Sequence, residues 1–243
     1  MLLLALGIAF DKALPFGAVS CITKTPEEGN ATVTEQNYEQ MRRAMVDSQL
    51  RTTAVNDPRV VAAMGKVARE RFVPAGQAAF AYLDKALPVA PGRAMPSPMV
   101  VGRLLTEARV REGERALVVG AGSGYSAAVL AELGASVIAL EEDKDLAGKA
   151  TPGVTRAAGP FAKGWAKGAP YDVILFDGAA EQIPAAIIAQ LAEGGRLAAP
   201  ILENGVTRLA LGRKAGGGFG MLSFADAEAP ILPGFTVAKG FSF

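Results

Sequence analysis

The sequence predicts an α/β fold in which a helical N-terminal lobe precedes a doubly wound, mainly parallel sheet. From Gly113 onward, nearly continuous apolar segments alternate with helical ones, a pattern typical of a parallel sheet that is covered on both faces. Before Gly113, apolar side chains recur at helical spacing. The 243 residues are half apolar, which is enough for one sizeable core or for a core with a small lobe.

Three parts are predicted along the chain: a disordered leader over residues 1–33, a helical lobe over 34–112 and the α/β domain over 113–243. The leader begins with an apolar run, but Asp11 and Lys12 interrupt it before the ~20 residues that a spanning helix needs. No basic residue precedes this run, so it is a poor secretory signal.

In the lobe, residues 34–53 predict an amphipathic helix. Asp57-Pro58 starts a second helix, since aspartate caps a helix and proline fits its first position. Residues 82–92 form a proline-punctuated loop, and Ser97-Pro98 starts a third helix.

Four strands are predicted in the α/β domain, at residues 116–119, 136–140, 171–177 and 196–200, with helices at 126–133 and 184–191. Residues 206–211 and 220–225, joined by a glycine-rich turn, predict a terminal antiparallel hairpin.

Composition excludes several classes of function. The net charge of +1 gives no electrostatic footprint for nucleic acid or an anionic membrane, so neither is expected as a partner. The absence of histidine excludes Ser-His-Asp and Cys-His catalysis and His-ligated metal, and we expect no metal site. The single cysteine leaves no disulfide framework, is compatible with a reducing compartment and leads us to expect a cytoplasmic protein.

The most informative motif follows the first strand of the sheet, where Gly120, Gly122 and Gly124 stand at alternate positions before a small-residue helix. Glycines here allow a sharp turn and bring backbone N–H groups against a ligand. Tyr125 replaces the last glycine of the dinucleotide pattern. The motif therefore favours a nucleoside with a smaller polar tail, such as S-adenosylmethionine, over a dinucleotide.

Two acids end strands near this loop. Glu141 lies 21 residues beyond Gly120 and can accept both ribose hydroxyls of a nucleoside, the alternative being an ordinary solvated charge. Asp177 ends the central strand and is expected either to contact the amino group of the methionine moiety or to cap a helix. Arg71 and Arg93 are candidate anchors for a peptide carboxylate, the alternative being surface arginines without a specific role.

From about residue 45 to about residue 200, the chain resembles the protein-L-isoaspartate (D-aspartate) O-methyltransferase family. The motifs that carry the resemblance include Gln49-Leu50-Arg51, Asp57-Pro58-Arg59-Val60, Arg69-Glu70-Arg71-Phe72-Val73-Pro74, Leu87-Pro88, Gly122-Ser123-Gly124-Tyr125 and Glu193-Gly194-Gly195-Arg196-Leu197. The resemblance implies a Rossmann-like fold and methyl transfer from S-adenosylmethionine to an isoaspartyl carboxylate in a damaged protein or peptide. Gly120, Gly122, Gly124, Tyr125, Glu141 and Asp177 are the expected cofactor-binding residues.

Three positions depart from the family pattern. The family serine at the methyl-transfer site aligns with Pro96, so Ser97, one residue along, is the candidate catalytic residue, with helix capping as its alternative role. An acid that helps to hold the cofactor's amino acid end is replaced by Val118. The aspartate that receives the adenine amino group is replaced by Pro160, which offers no side-chain acceptor.

Because of these substitutions, other functions stay open: a weakened or inactive relative that serves as a binding or scaffold module, and a methyltransferase with a different acceptor. A nicotinamide-dependent oxidoreductase is disfavoured by Tyr125 and by the helical lobe that precedes the first strand. Oligomeric state is not predicted.

Overall fold

The computed structural model describes residues 30–237, with side chains from residue 37 onward. Helix α1, Asn30–Met45, continues as a π-helical turn over Val46–Leu50 and a 3-10 turn over Arg51–Thr53, which confirms the first predicted helix. The predicted leader lies outside the described residues up to residue 29, and residues 30–33 already belong to α1.

The next two helices begin at their predicted caps. Helix α2, Pro58–Lys66, starts where Asp57 accepts a hydrogen bond from the Arg59 amide at 2.8 Å. Further along the chain, α3, Pro98–Ala108, starts where Ser97 Oγ accepts one from the Val100 amide at 3.4 Å. Each cap satisfies an N–H group that has no partner within its helix.

The predicted loop at 82–92 is wrong in its second half. Strands β1, Leu87–Ala90, and β2, Arg93–Met95, form a small antiparallel hairpin that turns at Pro91-Gly92. Gly92 has a φ of 67°, so the sharp turn uses glycine's conformational freedom. This hairpin positions Arg93 for the site described below.

Within residues 30–237, seven strands form the main sheet, in the order β5-β4-β3-β6-β7-β8-β9. Strands β3 to β7 pair in parallel, whereas β7, β8 and β9 form an antiparallel meander. Their bounds are β3 Arg115–Val119, β4 Ser136–Glu141, β5 Val154–Ala158, β6 Tyr171–Phe176, β7 Leu191–Glu203, β8 Val206–Ala215 and β9 Gly218–Asp226.

The four predicted strands and the terminal hairpin are confirmed, with two differences. Strand β5 was not predicted, because it lies at the sheet edge and most of its side chains are at least partly exposed. Strand β7 starts at Leu191, earlier than predicted, and α6 is accordingly reduced to Ala185–Ile188.

Helix α4, Tyr125–Glu132, follows β3, and the short helix α5, Lys144–Ala147, follows β4. One core cluster joins the N-terminal helices to one face of the sheet, and a second fills the other face. Residues 227–237, here called the C-terminal strap, add Leu232 and Phe235 to the second cluster. Among residues 30–237, none of the helices combines the length and apolar character needed to cross a bilayer.

Candidate functional site

The candidate site lies at the carboxyl edge of the sheet, beside the central strand β3. This strand pairs with β4 on one side and with β6 on the other, so the chain connections diverge from it in opposite directions. Ligands of doubly wound sheets bind at such a switch point. The loop after β3 and the tips of β4 and β6 therefore define the crevice.

The loop after β3 contains three glycines in the left-handed backbone region. The φ angle is 75° at Gly120, 52° at Gly122 and 101° at Gly124, values that other residues rarely adopt. The amides of Gly120 and Ala121 both donate to the Leu140 carbonyl of β4 at 3.0 Å. The loop is thereby fixed against the neighbouring strand, and α4 begins directly after it.

Glu141 lies at the tip of β4 beside this loop and is fully buried, so it is not the solvated charge of the alternative interpretation. Its Oε2 accepts hydrogen bonds from the Gly122 amide at 2.7 Å and from Arg93 Nη2 at 3.0 Å. Its Oε1 accepts from the amides of Glu142 and Asp143 at 3.0 and 3.2 Å. A carboxylate has about four lone-pair sites, so protein donors occupy its full accepting capacity.

Arg93 enters the crevice from β2 and is 8% exposed. Besides its bond to Glu141, Nη2 donates to the Gly120 carbonyl at 2.8 Å. The guanidinium lies 4.9 Å from the centroid of the buried Phe161 ring, at cation–π distance. Its Nη1 is buried without a hydrogen-bond partner among the described residues. Arg93 thus pairs with the predicted ribose acid, and its role as a peptide anchor stays a prediction.

The C-terminal strap fills the space above the glycine loop. Leu232 is 2% exposed, and a Cβ atom placed on Gly120 would lie 2.5 Å from its Cδ2 atom. A Cβ atom on Gly178, after β6, would lie 2.7 Å from Leu232 Cγ. Glycine is therefore needed at both positions because a protein side chain lies against them.

Backbone hydrogen bonds hold the strap to the segment after β6. The Ala179 amide donates to the Pro230 carbonyl at 2.7 Å, and the Leu232 amide donates to the Ala179 carbonyl at 2.9 Å. The Glu181 amide donates to the Phe235 carbonyl at 3.2 Å. The Phe235 ring packs edge-on against Phe176 at 5.1 Å between centroids, so the strap is packed against the end of β6.

Asp177 is buried just after β6 and accepts a hydrogen bond from Ser126 Oγ of α4 at 2.6 Å. It thus links β6 to α4. Burial raises the pKa of Asp177 to about 7, although the bond from Ser126 and the charges of Arg93 and Arg69 oppose the rise. The side chain changes charge close to neutral pH.

Tyr125 points away from the crevice into the core between α4 and the N-terminal segments. Its ring is fully buried, 4.6 Å from the Arg69 guanidinium and 5.7 Å, edge to face, from the Phe72 ring. Arg69 in turn donates to the Ala81 carbonyl at 2.8 Å. The side chain of Tyr125 therefore holds α4 to the lobe, and only its backbone belongs to the loop.

Ser97 lies at the start of α3, next to residues of the strap. Besides capping α3, it lines a cavity of about 570 Å³ at the edge of the sheet. The other residues of this lining are Asp84, Lys85, Ala86, Met99, Glu228, Ala229 and Pro230. Three of them, Glu228 to Pro230, belong to the strap.

Val118 and Pro160, which stand where the family has acidic residues, are part of the fold and offer no polar side chain to a ligand. Val118 is completely buried inside β3, and Pro160 is exposed. Next to Pro160, the Phe161 amide donates to Glu142 Oε1 at 2.6 Å, and the Phe161 ring stacks on Phe235 with centroids 6.4 Å apart. This corner of the crevice is filled by aromatic packing.

The fold thus brings together the three loop glycines, Glu141 and Asp177, whereas Ser97 lines a cavity of its own and the Tyr125 side chain packs into the core. That these residues bind the cofactor and the acceptor stays a prediction. Sequence reasoning missed Arg93 as a partner of Glu141, and it missed the strap. The apolar Pro230-Ile231-Leu232-Pro233 run after the last strand was the available signal for a packed segment.

The polar groups of the crevice suit S-adenosylmethionine, whereas the packing in the crevice opposes its binding. The glycine loop, Glu141 and Ser123 Oγ supply groups that suit a nucleoside with an amino acid tail. Ser123 Oγ is buried and has no hydrogen-bond partner within residues 30–237. The space in front of them is filled by Leu232 and Arg93. In this conformation no ligand atom fits directly against the Gly120 backbone on this side, because Leu232 already lies there.

Comparison with known proteins identifies consistent relatives. A sequence profile described as Protein-L-isoaspartate(D-aspartate) O-methyltransferase matches residues 40–223. A Protein-L-isoaspartate O-methyltransferase of Methylorubrum populi is 39% identical over 206 residues, covering 81% of this chain and 97% of the relative. One of Methanoculleus marisnigri is also 39% identical, over 66% of this chain and 76% of the relative.

Two solved structures share the fold at 21% identity and cover 79% of this chain. A protein-L-isoaspartate O-methyltransferase superposes with a TM-score of 0.70 over 66% of its own length. A putative protein-L-isoaspartate O-methyltransferase of Plasmodium falciparum, solved in complex with S-adenosyl-L-homocysteine, superposes with a TM-score of 0.68 over 97% of its length.

Proposed function

Because this chain belongs to the protein-L-isoaspartate (D-aspartate) O-methyltransferase family, we propose that it methylates isoaspartyl residues of damaged proteins, with S-adenosylmethionine as the methyl donor. The observation that carries the proposal is the family match over residues 40–223, which includes the glycine loop, Glu141 and the Ser97 region. The reaction is a step of protein repair.

This chemistry suits a chain without histidine. The isoaspartyl carboxylate is already ionised at neutral pH, so the attack on a methyl group needs no general base from the protein. S-adenosylmethionine, when bound, supplies the electrophilic methyl group. The protein's tasks are to orient the carboxylate oxygen and to exclude water.

We assign the cofactor to the crevice, with the backbone of Gly120, Gly122 and Gly124 and the carboxylate of Glu141 as its contacts. Asp177 is proposed to face the amino group of the methionine moiety, since it lies buried at the tip of β6. These assignments require Glu141 to exchange its bond from Arg93 for ribose hydroxyls.

We assign the acceptor to the neighbouring cavity of about 570 Å³. Ser97 offers a hydroxyl there, and Lys85 supplies a cation for the isoaspartyl carboxylate. Asp84 also lines the cavity, but its carboxylate accepts a bond from the Met99 amide at 3.0 Å and so supports the start of α3.

The test compares two peptides of identical sequence, one with isoaspartate and one with ordinary aspartate, at millimolar S-adenosylmethionine. We expect methyl ester formation, measured by mass spectrometry, on the isoaspartyl peptide alone. Equal methylation of both peptides would point to a different acceptor. No methylation of either would contradict the proposed function.

We also propose a cytoplasmic location, supported by the single cysteine of the chain. Fluorescence imaging of the tagged full-length protein in its own cells checks this, and a signal confined to the cell envelope would contradict it.

A further inference from the structure

We propose that the C-terminal strap and Arg93 are a built-in occupant of the cofactor crevice, so that S-adenosylmethionine binds only when they are displaced. The inference rests on the proposed function, because it assumes that this crevice is the cofactor site. The inference adds that the protein cannot bind the cofactor while the strap and Arg93 fill the crevice.

The first argument is space. Leu232 lies so close to the loop that even one added carbon atom on Gly120 would approach it to 2.5 Å. The same carbon would lie 3.4 Å from Arg93 Nη2. A ligand that contacts this backbone, as glycine loops of this kind allow, must take the volume that Leu232 and Arg93 hold.

The second argument is hydrogen bonding. Glu141 is the acid at the strand tip, and its Oε2 atom is shared between the Gly122 amide and Arg93. With Oε1 held by two further amides, the carboxylate has no lone-pair site free for a ribose hydroxyl. Of the four donors that the described residues supply, only Arg93 is a side chain from a separate hairpin, which can withdraw without unfolding the loop.

The third argument is that the occupant can leave the crevice without disrupting the sheet. The strap follows β9 at the end of the sheet and pairs with the segment after β6 through an isolated bridge at Ala179 and Ile231. Among residues 30–237, no strand pairing includes a strap residue. The Ala227 amide donates to the Thr207 carbonyl of β8 at 3.2 Å, but this bond lies at the start of the strap, away from Leu232. Ile231 and Val237 are half exposed, so the strap is covered on one side only.

The closed state also carries an unfavourable feature. Arg93 Nη1 is buried with no acceptor among the described residues, and an unpaired donor of this kind favours states in which water or a ligand reaches it. Displacement of Arg93 therefore restores hydrogen bonds that the closed crevice lacks.

The test is calorimetric titration of S-adenosylhomocysteine into the full-length protein and its variants. Leu232→Ala removes most of the side chain that fills the crevice, and Arg93→Gln removes the cation that holds Glu141. Both should bind the ligand at least about tenfold more tightly than the parent chain, since each raises the fraction of open crevice. Leu222→Ala, at an exposed leucine of β9, is the matched control and should leave the affinity unchanged.

Thermal unfolding shows whether each variant is folded. If Leu232→Ala does not fold, Arg93→Gln still tests the proposal. Unchanged affinity in the folded variants would overturn the proposal, and the proposed function would stand if the parent chain methylates the isoaspartyl peptide. Tighter binding of S-adenosylhomocysteine by the variants, without methylation of the peptide by the parent chain, would support the proposal that the strap and Arg93 occupy the crevice. It would contradict the proposed function. If no folded variant binds S-adenosylhomocysteine, both this proposal and the proposed function are overturned. That result would favour the interpretation of this chain as a non-catalytic member of the family.

Discussion

The proposed cofactor crevice and the proposed acceptor cavity both border the strap, but the first is tightly packed and the second is open. In the crevice, Glu141 is fully buried with all its lone pairs engaged. In the cavity, charged side chains such as Lys85 and Glu228 line about 570 Å³ of open space. The strap fills the first region and forms a wall of the second.

This difference separates residues that hold the fold from residues that are free to meet a ligand. Substitutions in the crevice should change the stability of the protein, whereas substitutions of the exposed charges in the cavity should change the kinetics of the acceptor with little effect on stability. Because the strap belongs to both regions, the displacement that we propose would also reshape the cavity wall at Glu228 to Pro230.

The largest expected effect is that of Glu141→Ala. The substitution leaves Arg93 buried without its counter-charge and three amides without an acceptor, so the free energy of unfolding should fall by about 3–5 kcal/mol. Urea unfolding measures it. The double variant Arg93→Met with Glu141→Leu, which removes both charges, should recover part of the loss. A loss of unfolding free energy below about 1 kcal/mol would show that the Arg93–Glu141 ion pair contributes little to the stability of the crevice.

Asp177→Asn should stabilise the protein in a pH-dependent way. With a folded-state pKa of about 7 against an ordinary value of 3.8, Asp177 keeps its proton in the fold at pH values where the unfolded chain has lost it. The parent chain therefore loses stability as pH rises from about 4 to about 7, by up to about 4 kcal/mol from this group.

Urea unfolding of parent and Asp177→Asn proteins between pH 4 and pH 8 checks this expectation. Asparagine retains an oxygen that can accept from Ser126 Oγ, so the variant should be the more stable protein above pH 7, and the difference should shrink toward pH 4. A difference that is constant with pH would contradict the raised pKa.

Ser97→Ala should cost about 1 kcal/mol, because it removes the side-chain acceptor at the start of α3. Ser97→Gly, at the same position, should cost only a few tenths of a kcal/mol. If Ser97 also contacts the acceptor, both variants should lower kcat/KM for the isoaspartyl peptide. If Ser97→Ala is less stable but both variants keep the kcat/KM of the parent chain, the role of Ser97 is helix capping alone.

The smallest stability effects are expected in the cavity. Lys85→Gln and Glu228→Gln should each change the free energy of unfolding by less than about 0.5 kcal/mol. The first should raise KM for an isoaspartyl peptide by about two- to fivefold and the second should lower it, since exposed charges contribute modestly. Equal KM values for both variants would place the acceptor elsewhere.

Sequence reasoning identified the parts of the fold that depend on local pattern. Strands β3, β4 and β6 are buried on both faces and therefore appear as apolar runs, and Asp57 and Ser97 mark helix starts by their own chemistry. Strand β5 lacked such a pattern, because an edge strand is only partly buried. The position of Glu141 beside the loop was also predictable, since parallel strands end at one edge.

The contents of the crevice were not predictable in the same way. Arg93 and Glu141 are 48 residues apart, and their pairing requires the β1–β2 hairpin to lie over the sheet. Leu232 has no surface to cover until β3 and β6 are paired. Both features arise from long-range packing, for which a single sequence carries little signal.

Hydrogen exchange of backbone amides, with and without saturating S-adenosylhomocysteine, tests the closed crevice most directly. The amides of Ala179, Glu181 and Leu232 form the bonds that hold the strap in place. We predict that the ligand speeds exchange at these amides and leaves the meander amides of β8 unchanged. Slower or unchanged exchange at Leu232 in the bound protein would contradict the proposal that the strap leaves the crevice when the cofactor enters.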